Sequence, residues 1–452
     1  MTQTRIKDFT RGNIPRQLAV FAAPLFLSNL LQIVYNMVDM IVVGHVLGQV
    51  GLSAVSVGGD LSSFMTFVAM GFSAAGQVLI AQYIGEGRRD LLGRFVSTMS
   101  GFLTACALVI SVVCILLRAQ LLTWMNVPQE AYGEAMAYST VCMAGLVFIY
   151  GYNVVAAILR GMGDSKHPFV FISIAAVLNL VLDIIFVAYW GMGAGGAALA
   201  TVISQGVSFV ACAAFLMRHK EQFSMDVTAK DFLRWDRGML SELVKLGTPM
   251  AIKSAAIHFS KLFVNSWINS CGVAVSAFAG IANKVSSIST LLSNSLNTAG
   301  ATMVGQNIAA QKHRRVVQIM LTLFAITFTV AGVLSVAICT WPAEFFGIFT
   351  TDAAVLAIAP DYLPIACLLF FGSAARCGMN ALMNGSGNYR VNFATAILDG
   401  IVLRIGLAVL FGLALDMKHL GFWLGDALAG FTPFFIGLVF YFSGVWKKGR
   451  GK

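Results

Sequence analysis

The chain has 452 residues, 58% of them hydrophobic and 11% charged, with a mean hydropathy of +0.81. No soluble core needs so much apolar residue, so a soluble enzyme or scaffold is excluded and an all-α protein crossing a membrane many times is expected. The formal charge of +10 would point to nucleic acid in a soluble chain, but the bases lie between apolar runs, where they act as topology signals; no nucleic-acid partner is expected.

The first sixteen residues, MTQTRIKDFTRGNIPR, are polar and basic, and they lead into a span too long for a signal-peptide core, so the start is expected to be retained. Twelve apolar spans follow, at 17–45, 51–81, 92–117, 132–159, 168–190, 195–217, 243–270, 273–305, 316–339, 355–383, 390–414 and 420–445. Within the first, residues 18–44 carry one formal charge, Asp39, and share a helix with Pro24, which predicts a bend there. A carboxylate at membrane depth costs a few kcal/mol and marks an ion or substrate path, unless it snorkels to the interface.

Twenty-three lysines and arginines lie in the N-tail, the alternate loops and the C-tail, against two on the other side, so both termini are expected in the cytoplasm of a cell (inner) membrane. The chain also repeats. Pro24 and Pro249 are 225 apart, while Gln82/Gln306, Ala157/Ala381, Gly161/Gly385 and Gly163/Gly387 are each 224 apart. This predicts two six-helix lobes, 1–217 and 243–452, in parallel orientation, a repeat found in alternating-access transporters. Residues 218–242 form the polar cytoplasmic linker, with Phe232, Trp235 and Leu240 among bases predicting an interfacial helix. The eight cysteines lie inside apolar spans without metal-ligand spacing and are expected to be packing residues.

The fifth span places Asn179 and Asp183 at i and i+4 on one face, and the sixth carries Ala197 and Thr201 at the same spacing. Counted from the outer ends, Asp183 and Thr201 lie about 10 Å deep, near the level of Asp39. Two carboxylates in one dry pocket cannot both stay ionised easily, so the pair takes up a proton or holds a cation such as Na⁺ among oxygen ligands. The competing reading is a hydrogen-bonded cluster gluing helices together.

The second half is basic at membrane depth, with Lys253, Lys261, Lys284, Arg376 and Arg404 against Asp399 and Asp426. Lys261 and Lys284 sit at similar depth and are expected to face one cavity, accepting anionic or zwitterionic amphiphiles together with Arg376. Otherwise Lys253 snorkels, Arg404 pairs with Asp399 or neighbours, and Lys284 caps carbonyls. His258, Asn36 and Asn153 are further candidates for substrate contact, each weighed against ordinary interhelical bonding.

The segment AAPLFLSNLLQIVYNMVDMIVVGHVLGQVGLSAVSVGG, the loop AQYIGEGRRD with its counterpart GQNIAAQKHRR, and the paired RGMGDS and NGSGNY motifs resemble the multidrug and toxic compound extrusion (MATE) family over essentially the whole chain. The resemblance implies two lobes around a central cavity and cation-coupled efflux. In the DinF-like branch the coupling site lies in the first lobe, and its ligands fall here on Asp39, Asp183, Asn179, Thr201 and the carbonyl of Ala197. Asp39, Asn179, Asp183 and Thr201 would be the metal ligands if the ion is sodium. The NorM-type branch carries second-lobe acids at positions that fall near His258 and Ser373 here, which argues against a second-lobe carboxylate mechanism.

The function expected is therefore an H⁺- or Na⁺-coupled antiporter exporting amphipathic compounds, working as a monomer among membrane lipids and needing no cofactor beyond the ion. The alternative is a flippase for lipid-linked precursors. A membrane-embedded enzyme or a channel finds no support, since no HExxH, GxSxG, nucleotide or filter-like motif is present.

Overall fold

The computed structural model describes residues 4–125 and 127–448; of the C-terminal bases, Arg450 and Lys452 lie outside the described residues. Among the described residues every regular element is helical. The first helix, α1 (Ile14–Gly85), runs for 72 residues, about 108 Å at the α-helical rise and several times a bilayer core. It is broken at Gly48 (φ 61°, ψ −146°), a conformation open essentially to glycine alone. The break lies at Gly48 and not at Pro24, where the helix continues and Ser28 Oγ donates to the Pro24 carbonyl at 2.8 Å.

Helices α2 (Leu92–Trp124), α3 (Tyr132–Ala144), α4 (Leu146–Gly161), α5 (Lys166–Asp183) and α6 (Gly193–Arg218) complete the first half. In the second half, α7 (Arg237–Asn269), α8 (Val273–Ala309) and α9 (His313–Thr340) precede two short helices, α10 (Pro342–Gly347) and α11 (Ala353–Leu356). They are followed by α12 (Ala359–Ser386), α13 (Tyr389–Ile397), α14 (Leu403–Val409), α15 (Lys418–Ala429) and α16 (Thr432–Phe442).

Among the described residues, eight stretches are long and apolar enough to cross a membrane, and a ninth is the pair around α3 and α4, bent by 48°. Gly48 divides α1 into two crossings, while α7 and α8 have the length but carry Lys253, His258, Lys261 and Lys284, which lower their apolar content. The result is the twelve-span plan expected from the hydropathy pattern. Where α3 bends into α4, Ser111 Oγ donates to the Met143 carbonyl at 2.6 Å, satisfying a group that the bend exposes.

The chain packs as two compact units: unit 1 is Met1–Asp8 with Ala23–Ala251, and unit 2 is Phe9–Ala22 with Ile252–Lys452. In unit 1, Val43, Leu61, Tyr138, Met143, Tyr150 and Val187 form the core, and Tyr150 Oη donates to the Met65 carbonyl at 2.7 Å. α1 meets the start of α7 backbone to backbone at Gly71, where a Cβ would lie 2.3 Å from the Ala251 nitrogen. In unit 2 the rings of Phe278, Phe346, Tyr362 and Trp423 pack edge to face or tilted at 5.0–5.6 Å. Small residues bring α14 and α15 together, since a Cβ on Gly425 would lie 2.5 Å from the Ala408 nitrogen.

The helix expected within 218–242 does not form. Two 3₁₀ turns, Lys220–Phe223 and Ala229–Leu233, replace it, and α7 begins at Arg237. Asp231 accepts from the Thr228 amide (2.8 Å) and hydroxyl (2.6 Å), and these bonds hold its carboxyl below the usual range. That local alternative competes with helix in a stretch containing Ser, Thr and Asp.

Candidate functional site

Asp39 on α1 and Asp183 at the end of α5 come together inside unit 1, 6% and 0% exposed, with their carboxyl groups interacting directly. α5 widens into a π-helical turn at Ile184–Tyr189, immediately after Asp183. Such turns re-aim side chains and recur at functional sites. One turn earlier on α5, Asn179 Nδ2 donates to Thr201 Oγ1 of α6 at 3.4 Å. Ala197, one turn before Thr201, is fully buried. The residues picked out by depth and spacing thus lie on three packed helices.

Asp39 Oδ1 and both carboxylate oxygens of Asp183 are buried without an ordinary protein hydrogen bond. Two carboxylates cannot bond each other without a proton, and an isolated buried charge is expensive. Orphaned oxygens in this position fit a proton or a small hard cation between the groups. Beside them lies a cavity of about 10 Å³ lined by Tyr35, Ala175, Ala176, Asn179, Thr201, Ser204 and Gln205, close to the smallest space that holds one water. Among the described residues no three His, Cys, Asp or Glu side chains gather as a metal site, so any ion here is held by two carboxylates and neutral oxygens.

Tyr35, Ser204 and Gln205 were not singled out from sequence. The Tyr35 hydroxyl bonds to Gln205 and lies near Asp39. Spacing was the available signal, since Tyr35 is four residues before Asp39 and Gln205 four after Thr201. Asn36 is exposed, and Asn153 donates to the Ile149 carbonyl of its own helix at 2.8 Å.

The sequence model of the MatE family matches residues 24–185 and again 249–410, nearly three quarters of the chain in two copies. The chain belongs to the MatE family. This MATE protein is therefore a multi-pass membrane transporter and not an enzyme. It is 27% identical to the probable multidrug resistance protein YpnP of Bacillus subtilis over 97% of both chains. Among solved structures it resembles a MATE transporter in the bent conformation, with TM-score 0.89, 22% identity and 99% of both chains covered. It also resembles a transporter of the MOP superfamily from Pyrococcus furiosus, described as having a binding pocket of reverse polarity, with TM-score 0.87 and 22% identity over 98% of this chain and 99% of that one.

Unit 2 of this MATE transporter holds a different polar cluster. Asp399 lies in a π-helical turn, Leu398–Val402, that joins α13 to α14, and is fully buried. It accepts from Arg376 of α12 at 2.5 Å and from Arg404 of α14 at 3.0 Å. Arg404, 2% exposed, also pairs with Asp426 of α15. The pairing of Arg404 with Asp399 is the bland alternative for these residues, and Arg376 joins it. Lys261 is exposed beside Asp426, Arg404, Arg376 and Asp399, whereas Lys284, also exposed, is not among its charged neighbours. His258 is half-buried on α7.

Proposed function

We propose that this protein is a cation-coupled secondary antiporter that exports amphipathic organic compounds by alternating access, with H⁺ or Na⁺ taken up at the Asp39–Asp183 pair. The observation that carries the reading is two buried, facing carboxylates of which Asp39 Oδ1 and both Asp183 oxygens have no ordinary protein hydrogen bond. Binding a cation there removes their repulsion and favours α1 and α5 held together; releasing it favours their separation. One charge moving down about 100 mV supplies about 2.3 kcal/mol, comparable to the coupling free energies of allosteric proteins. Asn179 and Thr201 supply neutral oxygens beside the pair, and the Ala197 carbonyl is a further ligand on the DinF-like pattern. The two lobes, 1–217 and 243–452, joined by 218–242, would be the moving bodies, in a monomer of the cell membrane with cytoplasmic termini.

The test is efflux of two fluorescent amphipathic dyes, one cationic and one anionic, from reconstituted vesicles under imposed pH or Na⁺ gradients. Wild type should transport under one gradient, and Asp39→Asn and Asp183→Asn should lose that dependence at normal expression. Transport by either variant at the wild-type rate would refute the assignment. The second reading, a flippase for lipid-linked precursors, is favoured by the surplus of positive charge in unit 2. It predicts movement of a lipid-linked anion where neither soluble dye moves.

A further inference from the structure

Four cations and two carboxylates gather in unit 2: Lys253 and Lys261 on α7, Arg376 on α12, Arg404 on α14, and the acids Asp399 and Asp426. Both acids are already held by guanidinium groups in close, charge-assisted contacts. Among the described residues neither Lys253 nor Lys261 forms an ion pair; Lys253 Nζ donates to the neutral Asn380 Oδ1 at 2.7 Å. Two positive charges are therefore left over.

The two lysines, about two turns apart on α7, share charged neighbours. Lys253 has Asp399 and Arg376 as charged neighbours, and Lys261 has the same two together with Asp426 and Arg404. Ser260 Oγ donates to the Gly400 carbonyl, fastening α7 to the widened turn that carries Asp399. Lys253 is half-buried and Lys261 exposed. They lie about 24 Å and 12 Å from the outer end of α7, within reach of the hydrocarbon layer. Uncompensated ammonium groups at that depth are costly, and an anion removes the cost.

We propose that the Lys253–Lys261 face of α7 binds the anionic headgroup of an amphiphile, a carboxylate, sulfonate or phosphate, beside the Arg376–Asp399 pair. The guanidinium groups are held by the two aspartates, which leaves the flexible ammonium groups as the ligand's contacts. This names a substrate class for the exporter and rests on that reading only for the transport step, because binding requires nothing of Asp39 or Asp183.

The experiment uses the full-length protein in nanodiscs of phosphatidylcholine, titrated with dansylaminoundecanoic acid and with its uncharged methyl ester. The acid should bind at least about tenfold more tightly than the ester, the worth of one hydrogen bond to a charged group. Lys253→Gln/Lys261→Gln should remove the preference, while Lys253→Arg/Lys261→Arg retains it and guards against loss by misfolding. Equal binding of acid and ester, or a preference unchanged in the Gln variant, would overturn the proposal. Displacement by phosphatidylglycerol assigns the anion to a bilayer lipid, displacement by octyl sulfate alone assigns it to a soluble amphiphile, and displacement by neither overturns the site. Coupling at Asp39 is read by gradient-driven transport, so failure of one idea leaves the other standing.

Discussion

Replacing Asp183 with asparagine should abolish coupling and at the same time make unit 1 more stable in sodium-free buffer above neutral pH. Both oxygens of Asp183 are buried without a protein partner, and they face Asp39, whose Oδ1 is also unpartnered. An asparagine of the same shape removes one of two like charges and offers an amide that can donate to Asp39. A hydrogen bond to a charged group contributes about 1.5–3 kcal/mol. In a folded unit of roughly 150–250 residues each kcal/mol moves the melting midpoint by about 2–4 °C, so a rise on the order of 5 °C is expected. The assay is thermal unfolding followed by tryptophan fluorescence, paired with vesicle transport. If sodium is the coupling ion, raising it to about one hundred times its Kd stabilises wild type by about 2.7 kcal/mol and leaves the variant unmoved. A lower melting midpoint in Asp183→Asn, or intact gradient-driven transport, would refute the reasoning.

Other outcomes follow from single features of the two units. Asp399→Asn takes the carboxylate from Arg376 and leaves the buried Arg404 with Asp426 alone; it should cost about 3–5 kcal/mol, seen as a lower midpoint and reduced monodisperse yield. Gly48→Ala meets no neighbouring atom, so its expected cost of about 1–3 kcal/mol is purely conformational and should disappear in a variant shortened to remove the break. Cys339 and Cys367 place their sulfurs 3.7 Å apart; mild oxidation should join α9 to α12, read as protection of both thiols from a maleimide, and Cys367→Ser should restore labelling of Cys339.

Much of the candidate site's geometry in unit 1 was legible because helical spacing and distance from a helix end are sequence quantities. Asp39, Asp183 and Thr201 stand at one depth on that arithmetic, with Asn179 one turn from Asp183, and in the structure Asp39 meets Asp183 and Asn179 meets Thr201. The break at Gly48 was not legible, since a glycine flanked by helix formers gives no sign of whether it adopts a positive φ, and the proline at Pro24 was the stronger local signal. The π-helical turns after Asp183 and around Asp399 escaped for a related reason: an inserted residue changes which face a side chain takes without changing the hydrophobic pattern. In unit 2 the charges and the pairing of Arg404 with Asp399 were legible, but the partner of Arg376 was not. Arg376 reads like a free cation in sequence, and only the packing of α12 against the turn bearing Asp399 shows it engaged.

The contact between Arg404 and Asp426 also bears on how the protein is made. Each residue alone would resist entry into the bilayer by about 2.5–3.5 kcal/mol at a helix centre. They are 22 residues apart, on either side of the turn between α14 and α15, and the small residues at Gly425 and Ala408 bring their helices into backbone contact. The final two spans can therefore offset one of their two acids within the hairpin, and the second, Asp399, is met by Arg376 of α12.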